Sequence, residues 1–184
     1  MALPTILIVT GIMASGKSTV AQALAERLPR SVHLRGDIFR KMIVNGRAAH
    51  GPTATAEDTA QLELRYGLSI EVADAYAAAG FTVVYQDILF GPDIDRAVER
   101  LSRWKPGVVV LAPRAEVAAA RDRDRAKLGY RDWSAEAFDA GFRRETAGRG
   151  YWLDNSELSA VQTVEQILVA GPRLYEGFED AGMP

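Results

Sequence analysis

The chain has no cysteine, which removes disulfides, thiolate metal sites and a cysteine nucleophile, and suits a reducing compartment. It has no long apolar run either. The N-terminal stretch Thr5-Ile6-Leu7-Ile8-Val9-Thr10 is too short to span a bilayer and lacks a basic lead-in, so neither a signal peptide nor a membrane partner is expected, and the location is read as cytoplasmic. It also lacks an excess of charge. With 22 basic and 24 acidic residues the formal net charge is −2, too little field to hold long nucleic acid. Repeats and low-complexity segments are missing, as is the Asn-Lys-x-Asp element that a guanine-specific switch would carry. At 184 residues the chain makes one domain, expected over 1–172, with 173–184 as a loosely held tail.

What the chain does contain is an apolar strand running straight into Gly11-Ile12-Met13-Ala14-Ser15-Gly16-Lys17-Ser18-Thr19 and then into a helical pattern. A phosphate chain is wrapped only by backbone with few side chains in the way, its N–H groups turned inward. Gly11 and Gly16 permit the wrap, with Ala14, Ser15 and Thr19 completing the nucleotide-binding segment. Lys17 reaches the β- and γ-phosphates, Ser18 places its hydroxyl on Mg²⁺, and the new helix adds its positive end to the same anion. A nucleoside triphosphate with Mg²⁺ is the expected ligand, ATP first and GTP as the alternative.

Apolar β-rich runs alternate with helical stretches, the pattern of a parallel sheet covered by helices. Strands are expected at 4–10, 31–35, 81–86, 107–112 and 150–153. Helices are expected at 17–28, after Asp37, at 55–79, 93–104, 114–128 and 134–147, and at 160–170 behind the Ser159/Gln162 capping box.

Ligands of such sheets lie beyond the carboxyl ends of the strands, where two aspartates stand. Asp37 follows the second strand and is assigned as the base that takes the acceptor's proton; the structural alternative is a helix N-cap. Asp87 ends the third run in the hydrophobic-then-Asp form, as a ligand of Mg²⁺ or of substrate, or as a turn cap. Arg121 and Arg125 share one helical face while Arg123 points elsewhere, and Lys127 follows. Carried by a lid, the first two would stabilise the transferred phosphoryl; alternatively they pair with Asp122 and Asp124 on a solvated helix. Arg40 and Arg47, with His50 beside them, flank the expected acceptor position. His33 reads as a satisfied core residue, and Trp104, Trp133 and Trp152 as packing anchors.

Gly11 to Thr19, Arg35-Gly36-Asp37-Ile38-Phe39-Arg40, Val83-Val84-Tyr85-Gln86-Asp87, the Arg121 to Arg125 run and Asp154-Asn155-Ser156 together resemble P-loop kinases of the chloramphenicol-phosphotransferase-like and AAA_33-like group. The resemblance covers residues 4 to 170. It implies a three-layer α/β fold like that of nucleoside-monophosphate kinases, with a five-stranded parallel sheet of order 2-3-1-4-5, helices on both faces and an arginine-bearing lid. It also implies ATP-dependent transfer to a small-molecule hydroxyl, antibiotics included, with Asp37 as base, Arg121 and Arg125 in the lid and Asn155 near the adenine. Arg40 and Arg47 are a thin set for a nucleotide acceptor, so a small, weakly charged acceptor fits better. The alternatives are a nucleotide or nucleoside kinase and an ATP-binding regulator without transfer. A monomer or homodimer is expected.

Overall fold

The computed structural model of the protein describes residues 3–49, 54–123 and 134–178. Its strands β1 (Ile6–Gly11), β2 (Ser31–Arg35), β3 (Thr82–Gln86), β4 (Gly107–Leu111) and β5 (Tyr151–Leu153) form one sheet of order β2-β3-β1-β4-β5. Every pairing is parallel. Because parallel crossovers are right-handed, reversing the direction of travel across the sheet reverses the face on which the connecting helix lies. The connection from β1 to β2 therefore puts α1 (Lys17–Glu26) on one face. Connections running the other way put α3 (Ala56–Ala78) and α4 (Gly91–Arg100) on the opposite face. The helix α7 (Ala160–Leu168) returns to pack on α1.

Covered on both faces, the central strands have no alternation to preserve and are apolar throughout. Residues 6–9, 83–85 and 108–111 are at most 1% exposed. Burial of each large aliphatic side chain contributes about 1.5–3 kcal/mol, which makes this sheet the rigid floor of the molecule. The β1 chain crosses back to β2 while β4 runs on to β5, and the crevice opens at the carboxyl ends where these paths part.

The expected order of strands and helices is present, with instructive shifts. The α4 helix starts earlier than expected, with Pro92 in its first turn, and ends at Arg100. Residues Ser102–Trp104 form a 3₁₀ turn rather than more α-helix, because Pro106 disfavours helical backbone at Lys105, which takes a left-handed conformation. The first turn of α3 is closed by a Thr55/Asp58 capping box, and that of α7 by Ser159 and Gln162 as expected. The tail departs from expectation most. A 3₁₀ turn at Gly171–Tyr175 carries Leu174, Tyr175 and Phe178 into the core, so the packed unit continues past residue 172 through Phe178. Two further helices, α5 and α6, are described over Ala115–Arg123 and Ala135–Thr146. Arg125, Asp124, Lys127, Trp133 and His50 lie outside the described residues. Among the described residues no helix is long and apolar enough to cross a membrane.

Candidate active site

The glycine-bearing loop leaves β1 and enters α1 at Gly16, which is the N-cap of the helix with φ 95°. A side chain there would be strained, and would also press on Asn155 Nδ2. The first N–H groups of α1 have no partner inside the helix and face the crevice as an anion site. Ala14 too is left-handed, with φ 57°, a conformation that L-residues hold only where surrounding structure imposes it. Lys17 is 8% exposed, and its ammonium folds back on the loop, donating to Gly11 O at 2.9 Å and Ile12 O at 2.6 Å. Loop curvature, a helix start and a desolvated cation thus converge on one point.

Two openings flank this loop. The first is a cavity of ≈310 Å³ walled by Ala14, Gly16, Thr19, Arg121, Asn155 and Leu158, among others. Asn155 belongs to the loop between β5 and α7 and is 3% exposed. Its Nδ2 donates to Ser15 O at 2.9 Å, while its buried Oδ1 accepts no hydrogen bond, leaving an acceptor for a base or ribose donor. Arg121 Nη2 donates to the carbonyls of Asn155 and Ser156 at 2.9 and 3.1 Å. Arg121, expected both in a lid and at the nucleotide, therefore lines this first opening, bound to two backbone carbonyls, and is not among the residues that line the cleft with Lys17.

The second opening, a cleft of ≈150 Å³, brings together Lys17, Ser18, Asp37, Arg65, Gln86 and Asp87. Asp37 is in the first turn of the short helix α2 (Asp37–Lys41), whose N-cap is Gly36 with no side-chain cap bond, so the capping alternative for Asp37 does not apply. One carboxylate oxygen of Asp37 accepts from Lys41 Nζ; the other, Oδ1, is buried, accepts no hydrogen bond and has Arg35 Nε at 3.7 Å. Burial on its own would raise the Asp37 pKa. The Lys41 hydrogen bond and the charges of Lys41, Arg35 and Arg65 outweigh it and hold the carboxyl below its ordinary range.

Asp87 is engaged differently from expectation. Arg65, deep in α3, grips it with Nε at 2.8 Å and with Nη2, and the side chains of the pair are 13% and 1% exposed. Asp87 Oδ1 also accepts from Ile88 N–H at 2.7 Å. This carboxylate, assigned to metal or substrate, thus positions an arginine. Gly36 is required for that arrangement, since a Cβ there would collide with Asp87 Oδ2. The hydroxyl of Ser18 donates to the buried Gln86 Oε1 at 3.3 Å, and Ser18, Gln86 and Asp87 line the same cleft.

Of the remaining expected residues, Arg40 donates to Ala48 O at 2.7 Å and Ala49 O at 3.4 Å, fastening the segment that carries the exposed Arg47. His33 is not a satisfied core residue: it lies half-buried on the edge strand, Nδ1 paired with Gln22 and Nε2 without a partner. Trp104 and Trp152 pack against the core and donate to Asp74 and to Arg149 O, as anchors should. Arg65, Lys41 and Gln86 were missed. Gln86, a polar residue closing an apolar strand, was the one visible in the pattern.

A five-stranded parallel sheet of this order with a phosphate loop between β1 and α1 defines the three-layer P-loop NTPase fold. The chain belongs to the AAA_33 family of AAA domains, which matches residues 6–146. Among solved structures, a sugar kinase from a Janibacter species is similar at 22% identity, covering 89% of this chain and 91% of its own, with TM-score 0.68. A gluconokinase from Sinorhizobium meliloti is similar at 19% identity, covering 95% of each chain, with TM-score 0.66. The tunicamycin resistance protein of Deinococcus radiodurans is similar at 16% identity, covering 90% of this chain and 93% of its own, with TM-score 0.65. No curated protein matches the chain.

Proposed function

We propose that the protein is an ATP-dependent phosphotransferase that moves the γ-phosphoryl group to a hydroxyl of a small molecule. The observation that carries this reading is the buried Oδ1 of Asp37, which accepts no hydrogen bond, in the same cleft as Lys17 and Ser18. A carboxylate so placed accepts the proton of an attacking hydroxyl, whose oxygen bonds phosphorus as the bond to ADP breaks. Lys17 leaves its loop carbonyls to meet the growing charge on the phosphoryl oxygens. Asn155 and Arg121 hold the nucleoside end. Bound Mg²⁺ would neutralise the phosphates, with Ser18 as its protein ligand and Asp87 acting through water or through Arg65.

The named activities of the similar structures, on a sugar, on gluconate and in tunicamycin resistance, make hydroxyl-rich acceptors and antibiotics the first to try. The test is acceptor-dependent release of ADP from a panel of such compounds. In Asp37→Asn, turnover is expected to fall about 10²- to 10⁴-fold with Mg·ATP affinity retained, the loss typical of a general base. Lys17→Ala should lose about 10²- to 10³-fold while melting cooperatively. Equal turnover in Asp37→Asn would remove it as the base. Nucleotide binding without any acceptor-stimulated release would favour a non-catalytic ATP-binding regulator.

A further inference from the structure

At the crevice end of β3 the Asp87 carboxylate and the Arg65 guanidinium meet edge to edge, through Nε at 2.8 Å and through Nη2. Their surroundings hold the pair still. Asp87 Oδ1 also accepts from Ile88 N–H at 2.7 Å, and Gly36 leaves room for Oδ2 by having no Cβ. One residue further along each chain segment, Tyr66 Oη donates to Ile88 O at 2.6 Å and latches α3 to the strand exit. A buried ion pair is a poor way to stabilise a fold, because both charges lose their hydration and apolar side chains of like size would join α3 to β3 as well. What the pair presents to the cleft accounts for it better than what it joins.

It presents the far edge of the guanidinium. The bonds to Asp87 occupy Nε and Nη2, whereas Nη1 donates to no described residue and is not buried. Arg65 lines the ≈150 Å³ cleft together with Lys17, Ser18 and Asp37. A fixed donor edge therefore borders the same small volume as the phosphate-loop lysine and the carboxylate assigned as base. Arg121 lines the other opening. A phosphoryl group under transfer spreads negative charge over its three equatorial oxygens, and donors already in place stabilise that charge without reorganising. A guanidinium keeps its protons throughout.

We infer that Arg65 is a catalytic residue of the phosphotransfer, its free Nη1 edge meeting the equatorial oxygens of the transferred phosphoryl, with Asp87 as the positioning residue behind it. This rests on the phosphotransferase reading. The acceptor oxygen bonds phosphorus as the bond to ADP breaks, the bonding pair leaves on ADP, the hydroxyl proton goes to Asp37, and Arg65 gives up no proton. Asp87 then acts through Arg65.

The transferred phosphoryl is common to every acceptor, so the test uses water in place of one. Slow hydrolysis of Mg·ATP, read as ADP release, should fall about 10²- to 10³-fold in Arg65→Lys, with Mg·ADP affinity unchanged. The lysine ammonium still neutralises Asp87 but has no second edge to offer. Arg65→Gln combined with Asp87→Asn leaves no buried charge uncompensated and should lose as much. A transition-state mimic supplies the second arm: aluminium fluoride should tighten Mg·ADP binding to the parent protein, measured by calorimetry, and should not do so in either variant. The control Arg103→Gln, which breaks a distant surface pair with Asp74, should match the parent in both arms.

Hydrolysis at the parent rate in the variants, or fluoride tightening at the parent strength, overturns the inference and leaves the kinase standing. A loss seen only as a higher KM for an acceptor does the same, since Arg65 is then a binding group. Loss of Mg·ADP binding in both variants makes the pair structural and overturns it too. Where hydrolysis is too slow to read, the fluoride arm decides, and no tightening in the parent counts against the inference. Failure of the parent to bind either Mg·ATP or Mg·ADP removes the kinase reading itself.

Discussion

The base role proposed for Asp37 requires an ionised carboxylate, and its neighbours hold its pKa below the ordinary value. Because its folded pKa lies below the ordinary aspartate value of 3.8, it contributes stability above that value that is lost as pH falls through the folded pKa. The same shift should keep the acid limb of the rate profile below the ordinary carboxylate range. Lys41→Met removes a partner whose side chain is 55% exposed, so little stability is at stake. The carboxyl pKa should rise and the acid limb of kcat should move to higher pH, read from a pH–rate profile; an unmoved limb would show that Lys41 does not tune the base. Residues of the phosphate loop are legible in sequence because the chemistry is local: nine consecutive residues hold the turn, the cation and the hydroxyl. Arg65 is not. It stands 22 positions from Asp87, and the helical pattern around it encodes only which face of α3 meets the sheet.

The elements matter as carriers of single contacts. The loop from β5 to α7 is tied to the phosphate loop by one amide, Asn155 to Ser15 O. In Asn155→Ala the apparent KM for ATP should rise about tenfold, with kcat for the acceptor changed far less, as measured by steady-state kinetics. The contact of β2's exit with β3 is tighter still, since Gly36 lies against the Asp87 carboxylate. Gly36→Ala should destabilise the protein by about 1–3 kcal/mol in denaturant titration, because the rigid, buried Asp87–Arg65 pair has no room to retreat. The capping box of α7 and the strand runs were readable, each depending on neighbours a few positions apart. The capping residue of α2 was not, being set by how the chain leaves the sheet at Gly36.

For the molecule as a whole, the sheet is a floor built from apolar strands and the two openings are a rim assembled from six separate segments: the phosphate loop, α2, α3, the end of β3, α5 and the loop from β5 to α7. Residues 174–178 belong to the floor. Ending the chain at 172 would strip Leu174, Tyr175 and Phe178 from the core, at roughly 2–5 kcal/mol for each large side chain removed, and should lower the melting temperature sharply. An unchanged melt would mean that the turn is only laid on the surface. Apolar periodicity, β-rich runs and one phosphate loop were enough to specify the class of fold, because each is written in contiguous residues, whereas the order of the strands came only with the family resemblance. The acceptor end was not written that way. Which arginine meets which carboxylate depends on side chains brought together from α2, α3 and β3, a matter of packing that spacing along the chain does not encode.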